Sequence, residues 1–558
     1  MTQAFSRAGS AFLLIATLAV CGPAGGQSSK DNTNKALDLI TLEQLEGHVR
    51  FLGSDALLGR DAAEAGYGIA AQYVAERLGS MGVEAAGSDG WFQSVPLRRY
   101  GIARGSADFV IHRGGESTPL VYRDDYSMSA DPVRESSEAR AEVVYVGHGV
   151  HAPAQGYSDY DGVDVRGKII AVFRGAPESI EGNARAYYSS SRTKSLEAVK
   201  RGAIGSISLR TRKSEARQTW ASRKDRIGRR PSTTWINGDG RAARYYPELL
   251  VGAAISIAAA ERLFGVSPMS YEEALEANLA GKAASTPLGV EVSLSARSTH
   301  STTSSPNVIG VVRGTDPELA NEYVVYSAHL DHVGVSTSEE DEDKIRNGVY
   351  DNAIGVALML ETARAIAAAP PKRSVMFIAL TAEESGLLGS DFFVNNPTVP
   401  MASIVANINL DMPLFLYPVA DLVAFGSQHS SMQDIAEKSA ADEGFVFSPD
   451  PMPEEVLFVR SDQYSFVQKG VPAVYLVTGF NSTDESVDGE ALYRDHLKNH
   501  YHQPSDDIAR PIDWESALRF ARAHTRIGLA IGNDEDRPTW NEGDFFGERF
   551  GRGSRDEP

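Results

Sequence analysis

The chain has 558 residues and a mass of 60.1 kDa. A single hydrophobic core rarely supports a chain of this length, so we expect two or three domains. Hydrophobic residues make up 42% and charged residues 23%, which excludes a disordered, collagen-like or multi-span membrane chain. The net charge of −20 disfavours nucleic acid or an anionic membrane as a partner, and a single cysteine excludes an internal disulfide or a cysteine-rich zinc site. Any metal must therefore be held by histidines and carboxylates.

The first residues have the pattern of an export signal. The apolar run Ala8–Val20 follows Arg7 and is 13 residues long. That is too short to cross a bilayer, which needs about 20 residues, but it suits the core of a secretory signal peptide; the alternative is a buried N-terminal helix. Cleavage within Ala24–Gly26 would remove residues 1–26, whereas a lipobox-like end at Cys21 would leave a lipid anchor. We expect an exported protein that is periplasmic, anchored in the outer membrane as a lipoprotein, or secreted.

The rest of the chain changes character twice. From Thr41 to Met81 apolar residues recur at helical spacing, whereas residues 128–289 hold short β-type runs bounded by glycine and aspartate. From Tyr323 onward apolar strands alternate with helices, which predicts an α/β fold with a mixed, mainly parallel sheet and helices on both faces. The expected strands are Tyr323–Ser327, Val375–Leu380, Ile404–Leu410 and Ala473–Val477.

Polar residues follow these strands at the edge where α/β sheets bind ligands. After the first strand, His329 and Asp331 point the same way in an extended chain, and His332 points the opposite way. The Asp331 carboxylate is then placed to accept the second ring N–H of His329 and to fix that ring. After the second strand, Glu383 and Glu384 are neighbours, so that one can bind a metal while the other carries protons.

Three further candidates lie at strand, helix or loop ends. Asp351 precedes a helix, where an aspartate is commonly a plain N-cap. Asp411 ends the third apolar strand, where a carboxylate needs a cation or a capping role. His502 lies in an expected loop, where a histidine is normally solvated, and His500 is its rival. Each signal is modest alone, so the prediction depends on the set.

The set contains two histidines and three carboxylates: His329, Asp351, Glu384, Asp411 and His502. It suits two borderline divalent ions. If Asp351 bridges them, each ion receives one histidine, one terminal carboxylate and a share of Asp351. Three carboxylates and one hydroxide then balance two divalent cations. Such ions lie about 3.5–4 Å apart and generate a hydroxide near neutral pH, with Glu383 as the general base that carries the proton.

At these residues the sequence resembles the co-catalytic di-zinc aminopeptidase family. The motifs occur in the family's order: His329-x-Asp331, Asp351-Asn352-Ala353, Thr381–Gly386, Asn409–Met412 and Tyr501-His502. The resemblance implies a zinc exopeptidase fold and two zinc ions bridged by Asp351, and manganese or cobalt suits the same ligands. The other ligands it implies are His329 and Asp411 for one ion, and Glu384 and His502 for the other. It also implies Glu383 as catalytic base and Asp331 as the residue that supports His329.

The resemblance covers nearly the whole mature chain and implies its domains. The stretch Tyr157–Lys168 is similar to part of a protease-associated domain, a β-rich unit inserted into the peptidase in several relatives. The implied order is a signal peptide at 1–26, peptidase segments at 27–127 and 290–558, and the insert at 128–289. The chain departs from the family near its substrate pocket. Gln463 stands where many relatives have histidine, and Phe458 is the residue nearest to the place where some relatives have a tyrosine.

The leading interpretation of function is an exported zinc metalloexopeptidase, most simply an aminopeptidase that releases N-terminal residues from peptides. A carboxypeptidase or dipeptidase of the same family is an alternative. So is a glutaminyl cyclase, an acyltransferase of similar fold that uses a single zinc. A receptor-like protein without activity is the non-catalytic alternative, and it predicts lost ligands, whereas all five are present here. The sequence makes no prediction of oligomeric state.

Overall fold

A computed structural model of the protein describes residue 1 and residues 32–180, 182–265, 267–338 and 341–553. Apart from Met1, the predicted signal peptide at 1–26 and the lipid-anchor candidate Cys21 lie outside the described residues. Within those ranges, no helix combines the length and the apolar character needed to cross a membrane.

The described residues form strands and helices that we number in chain order. The strands are β1 (Glu84–Ala85), β2 (Phe92–Ile102), β3 (Asp108–Arg113), β4 (Glu116–Pro119), β5 (Tyr126–Met128), β6 (Ser136–Tyr145), β7 (His151–Ala152), β8 (Tyr157–Ser158), β9 (Ile169–Phe173), β10 (Gly205–Leu209), β11 (Ser232–Trp235), β12 (Val251–Ile255), β13 (Thr286–Val312), β14 (Tyr323–His329), β15 (Ser374–Leu380), β16 (Ile404–Asn409), β17 (Asp421–Phe425), β18 (Val446–Phe447) and β19 (Ala473–Thr478). The α-helices are α1 (Leu42–Leu52), α2 (Ala65–Ser80), α3 (Gly182–Ser189), α4 (Ser191–Lys200), α5 (Arg212–Arg217), α6 (Trp220–Lys224), α7 (Ile257–Phe264), α8 (Tyr271–Leu279), α9 (Ile354–Ala368), α10 (Leu388–Asn395), α11 (Met432–Ala441), α12 (Gln463–Val467), α13 (Gly489–Asp495), α14 (Trp514–Asn533) and α15 (Phe545–Phe550).

The main sheet is mixed and has a parallel centre. Its order is β18–β17–β19–β16–β14–β15–β13–β2–β11, with β1 also pairing with β13. Strand β14 is parallel to both β15 and β16, and β16 is parallel to β19. The carboxyl ends of these central strands therefore meet at one edge of the sheet, which is where the predicted site residues follow them.

Helices cover both faces of this sheet because the central strands are apolar on both sides. Val324 and Tyr326 of β14 pack in the core that contains residues of α1, α2, α9 and α14. Their neighbour Val325 points the other way and packs with Phe393 of α10 and Phe466 of α12. The alternation follows from the two-residue period of a strand. The predicted α/β fold with a mixed, mainly parallel sheet and helices on both faces is confirmed.

A second sheet with its own apolar core lies beside the first. Its order is β4–β3–β13–β6–β9–β10–β12–β5, and β6, β9, β10 and β12 run parallel. Its core packs the strands against α7 and α8. The long strand β13 joins both sheets: Thr286–Arg297 pairs with β6, and Ser298–Val308 pairs with β2. The division into an insert at 128–289 and a peptidase domain stays a prediction, and strands β3 and β4, which precede residue 128, also belong to this second sheet.

Candidate metal centre

The predicted ligands meet at the carboxyl edge of the main sheet. His329 is the last residue of β14, and Asp411 lies two residues past the end of β16. Glu384 follows β15, and Asp351 lies in the turn that leads into α9. His502 reaches the edge from the segment between α13 and α14. Its rival His500 lies elsewhere, because its ring nitrogens contact Ser505 and Asp495.

The first group of ligand atoms, which we call the His329 cluster, consists of His329, Asp351 and Asp411. The Nε2 atom of His329 lies 3.0 Å from Oδ1 of Asp411 and 3.3 Å from Oδ1 of Asp351. The other Asp411 oxygen accepts a hydrogen bond of 2.5 Å from the Ser461 hydroxyl, which fixes the carboxylate. All three ligand residues are buried. The cluster therefore offers one nitrogen and two carboxylate oxygens to a single point.

The second group, the His332 cluster, consists of His332, Asp351, Glu384 and His502. The Nε2 atom of His502 lies 3.0 Å from Oδ2 of Asp351 and 3.0 Å from Oε2 of Glu384. The Nδ1 atom of His332 lies 2.8 Å from Oε1 of Glu384 and 3.6 Å from Oδ2 of Asp351. Asp351 thus turns one oxygen to each cluster, as a bridging carboxylate does.

His332 belongs to the site, although the extended-chain rule placed it on the opposite side from His329. The rule fails because β14 ends at His329, so that the following residues no longer alternate. A left-handed Gly348 makes room for the ring, since a Cβ there would lie 2.5 Å from Cγ of His332. Another histidine one residue past His-x-Asp is a visible signal of the same ligand type.

The predicted hydrogen bond between the Asp331 carboxylate and the His329 ring is wrong. Nδ1 of His329 lies 3.1 Å from the backbone oxygen of Asp331, not from its side chain. The Asp331 carboxylate instead accepts the backbone N–H groups of Glu383 and Glu384, at 3.0 and 3.3 Å. Burial is the main cause that raises the pKa of Asp331 to about 8. Asp331 therefore supports His329 through its main chain and positions the two glutamates through its side chain.

Two further residues that the sequence did not indicate hold the ligand loops. Arg60 is buried, and its guanidinium donates to the backbone oxygens of Leu330 at 2.9 Å, Asn347 at 2.6 Å and Gly348 at 2.9 Å. Burial lowers its pKa to about 10, but the group remains a cation at neutral pH. Asp506 is also buried and accepts the backbone N–H of Tyr350 and of Asp351. Each of these positioning residues thus orients the backbone beside a ligand.

The chemistry of the donor set fits divalent cations. Both ring nitrogens of His332, Oε1 of Glu384 and Nε2 of His502 are buried atoms without a hydrogen bond of good geometry among the described residues. Unsatisfied buried polar atoms are costly, so a metal ligand role accounts for them. Burial lowers the pKa of His329, but the carboxylates of Asp411 and Glu383 outweigh it and hold that pKa well above its usual range. Such excess negative charge is what a pair of cations would offset.

Glu383 lies within reach of these charges but belongs to neither cluster. Burial raises the pKa of its carboxyl well above the usual range; the charges of Glu384 and Asp411 raise it further, and His329 opposes them. Its backbone is held by Asp331, as described above. A carboxyl group in this position is suited to taking up and releasing a proton beside the ligands.

Comparison with known proteins agrees with this geometry. Residues 307–527 match Peptidase family M28. The resemblance expected from the sequence is confirmed, and the matched M28 segment contains every ligand of both clusters. Among similar sequences, "Probable leucine aminopeptidase 2" of Aspergillus fumigatus is 28% identical over 242 residues, which are 41% of this chain and 45% of that protein. "Aminopeptidase YwaD" of Bacillus subtilis is 27% identical over 207 residues, 37% of this chain and 40% of that protein. The match thus spans less than half the length of each relative.

A solved structure extends the likeness of fold beyond the M28 segment. The aminopeptidase from Aneurinibacillus sp. strain AM-1 aligns with a TM-score of 0.50 over 90% of this chain and 97% of that chain. At 19% identity this likeness concerns the fold alone.

Proposed function

We propose that the protein is a two-zinc metallopeptidase, and specifically an aminopeptidase that releases N-terminal residues from peptides. The observation that carries this proposal is the pair of ligand clusters that share Asp351, with one oxygen toward each. The names of the similar aminopeptidases support it.

The residues have distinct roles in this proposal. The His329 cluster would hold one ion and the His332 cluster the other. When bound there, divalent ions would supply polarisation of the scissile carbonyl and a lowered pKa for a nucleophilic water. Glu383 takes the proton of the attacking water and returns it to the leaving amine. Asp331 and Arg60 keep the ligand loops at fixed positions through their backbone contacts.

Export and domain organisation are parts of the same proposal. The apolar run before residue 26 supports cleavage or lipidation of an exported precursor, with the mature enzyme in the periplasm, on the outer membrane or outside the cell. The second sheet, with its separate core, supports an inserted β-rich unit. Peptides are the proposed substrates.

The test is mass spectrometry of the products from short peptides, free and N-acetylated, with zinc-loaded protein and a chelator-treated control. Stepwise loss of N-terminal residues that acetylation and chelation both block is the expected result. Cleavage at the same rate with and without acetylation would indicate a carboxypeptidase instead of an aminopeptidase. Loss of ammonia from N-terminal glutamine would indicate a cyclase, and no product from any peptide would favour a binding protein.

A further inference from the structure

A cavity of about 730 Å³ lies against the second sheet, beside β9, β10 and β12. Its size falls within the range of about 300–1,000 Å³ typical of small-ligand sites. Three arginines and one lysine line it: Arg174, Arg223, Arg230 and Lys194. Burial lowers the pKa of Lys194 to about 7, so the arginines carry most of the positive charge at neutral pH. We call it the basic cavity. Serine hydroxyls and backbone from the three strands complete its wall.

The basic cavity has the opposite charge to the rest of the molecule. Among the described residues that line it there is no aspartate or glutamate, although the chain carries a net charge of −20. Two of the four basic residues, Arg223 and Arg230, are the ends of the run 223–230, which holds four arginines, one lysine and one aspartate. A positive concavity in an acidic protein attracts anions selectively.

Three of the four basic side chains in this cavity have no carboxylate partner among the described residues, whereas Arg230 lies 4.0 Å from Oδ2 of Asp61. Arg223 is half-buried, and its side chain makes no ion pair or hydrogen bond with the described residues. Among the described residues, Arg174 makes one side-chain hydrogen bond, a long one of 3.4 Å to the Ser208 hydroxyl. Lys194 is 9% exposed and donates to the backbone oxygens of Phe173 and Gly175 rather than to a carboxylate. An anion that contacts Arg174 and Arg223 would therefore gain charge-assisted hydrogen bonds without displacing an existing ion pair.

The cavity is linked to the metal centre. A neighbouring cavity of about 580 Å³ shares Tyr100, Arg230 and Ser232 with it, and its wall also includes the acidic residues Asp61, Glu64 and Glu384. Arg230 also donates a hydrogen bond of 3.0 Å to the backbone oxygen of Val335, three residues after His332. Arg230 thus lies on the wall that both cavities share, in contact with the loop that follows His332.

We propose that the basic cavity binds a carboxylate of the peptide substrate, distant from the bond that is cut. The proposal rests on the peptidase function above and assigns its substrate class: short peptides that end in a free carboxylate or carry an acidic side chain there. Arginine side chains suit this ligand because their paired N–H groups match the two carboxylate oxygens.

The first test compares three peptides of one sequence and length in the zinc-loaded enzyme: C-terminally amidated, with a free C-terminus, and amidated with one glutamate near the C-terminus. We expect KM to be about tenfold lower for either acid than for the neutral amide, since one charge-assisted contact of this kind is worth about that factor. The free acid and the glutamate peptide identify which carboxylate is used. Equal KM values for all three would overturn the proposal.

The variants Arg174→Gln and Arg223→Gln supply the second comparison. They should raise KM for the acidic peptides toward the value for the amide, while kcat and the KM of the amide stay unchanged. The matched control is Arg212→Gln, which removes the same charge from the exposed Arg212–Glu272 pair outside the cavity. The double variant Arg174→Gln, Arg223→Gln would refute the site if it still had a lower KM for the acidic peptides than for the amide.

A binding measurement separates this proposal from the proposed activity. Calorimetry of the free-acid peptide with chelator-treated protein should show binding that both arginine variants weaken about tenfold and that the control keeps. This result would hold even if no peptide were cleaved. Binding of inorganic phosphate alone, with no peptide binding, would overturn the peptide assignment and define a small-anion site.

Discussion

His332 offers the sharpest test of the metal centre, because it joins a ligand cluster that the sequence interpretation left incomplete. In the His332 cluster, substitution of His332 by glutamine reduces the ligand residues from four to three. The His329 cluster keeps all of its ligands. The variant should therefore bind one metal ion more weakly and keep its affinity for the other.

The expected loss of zinc affinity follows from the contacts of His332. Loss of a residue that merely orients a metal ligand costs about 10–100-fold in affinity. Because Nδ1 of His332 lies 2.8 Å from a Glu384 oxygen and points at the shared ligand atoms, we expect the upper end, about 100-fold, or ~3 kcal/mol. The ring is fully buried and makes no hydrogen bond of good geometry with the described residues, so a water cannot replace it without rearrangement.

The assay is zinc content after dialysis against a graded series of chelator-buffered zinc concentrations. Wild-type protein should hold two ions over a range in which His332→Gln holds one. The control is His524→Gln, since His524 is equally buried with an unpaired ring nitrogen but lies in α14, outside both clusters. Identical zinc curves for wild type and His332→Gln would refute the ligand role, and thermal unfolding of the metal-free proteins would detect a folding defect.

Three other predictions concern single side chains. Glu383→Gln should keep both metals but lose about 10²–10⁴-fold in kcat, because only the proton carrier is removed; metal analysis beside kinetics checks it, and a fully active variant would refute the role. Asp351→Ala should lose metal from both clusters, so a retained ratio of two zinc ions per chain would contradict the bridge. Burial lowers the pKa of His524 to about 4, so the folded state binds fewer protons than the unfolded state between about pH 4 and 6.5, and the free energy of unfolding falls as the pH falls. From pH 7 to 5 the wild type should lose about 2 kcal/mol more of this free energy than His524→Gln. Chemical denaturation measures the two losses, and equal losses would count against this account.

The sequence predicted the central strands closely because they are apolar on both faces and bounded by turns. The expected Tyr323–Ser327 and Val375–Leu380 correspond to Tyr323–His329 and Ser374–Leu380. Their ends also located most of the candidate site, since polar residues at the carboxyl edge of an α/β sheet converge. The family motifs then grouped residues that lie up to 173 positions apart, from His329 to His502.

What the sequence missed depends on irregular backbone. The side chains of His332 and Asp331 follow the last residue of β14, where strand alternation ends. The reach of Arg60 to Leu330 spans 270 residues, and neither periodicity nor motif spacing carries information on such a contact. The same limit applies to Asp506, whose hydrogen bonds are to main-chain N–H groups rather than to a recognisable side-chain partner.

Arg60 and Asp506 lie near opposite ends of the chain, yet both hold the same turn before α9. During synthesis, the turn therefore has its first clamp early and its second only after more than 440 further residues have been made, while His502 arrives equally late. A chain that stops before His502 lacks one ligand of the His332 cluster. The His329 cluster needs no residue beyond Asp411, so the His332 cluster is the later of the two to be completed during synthesis.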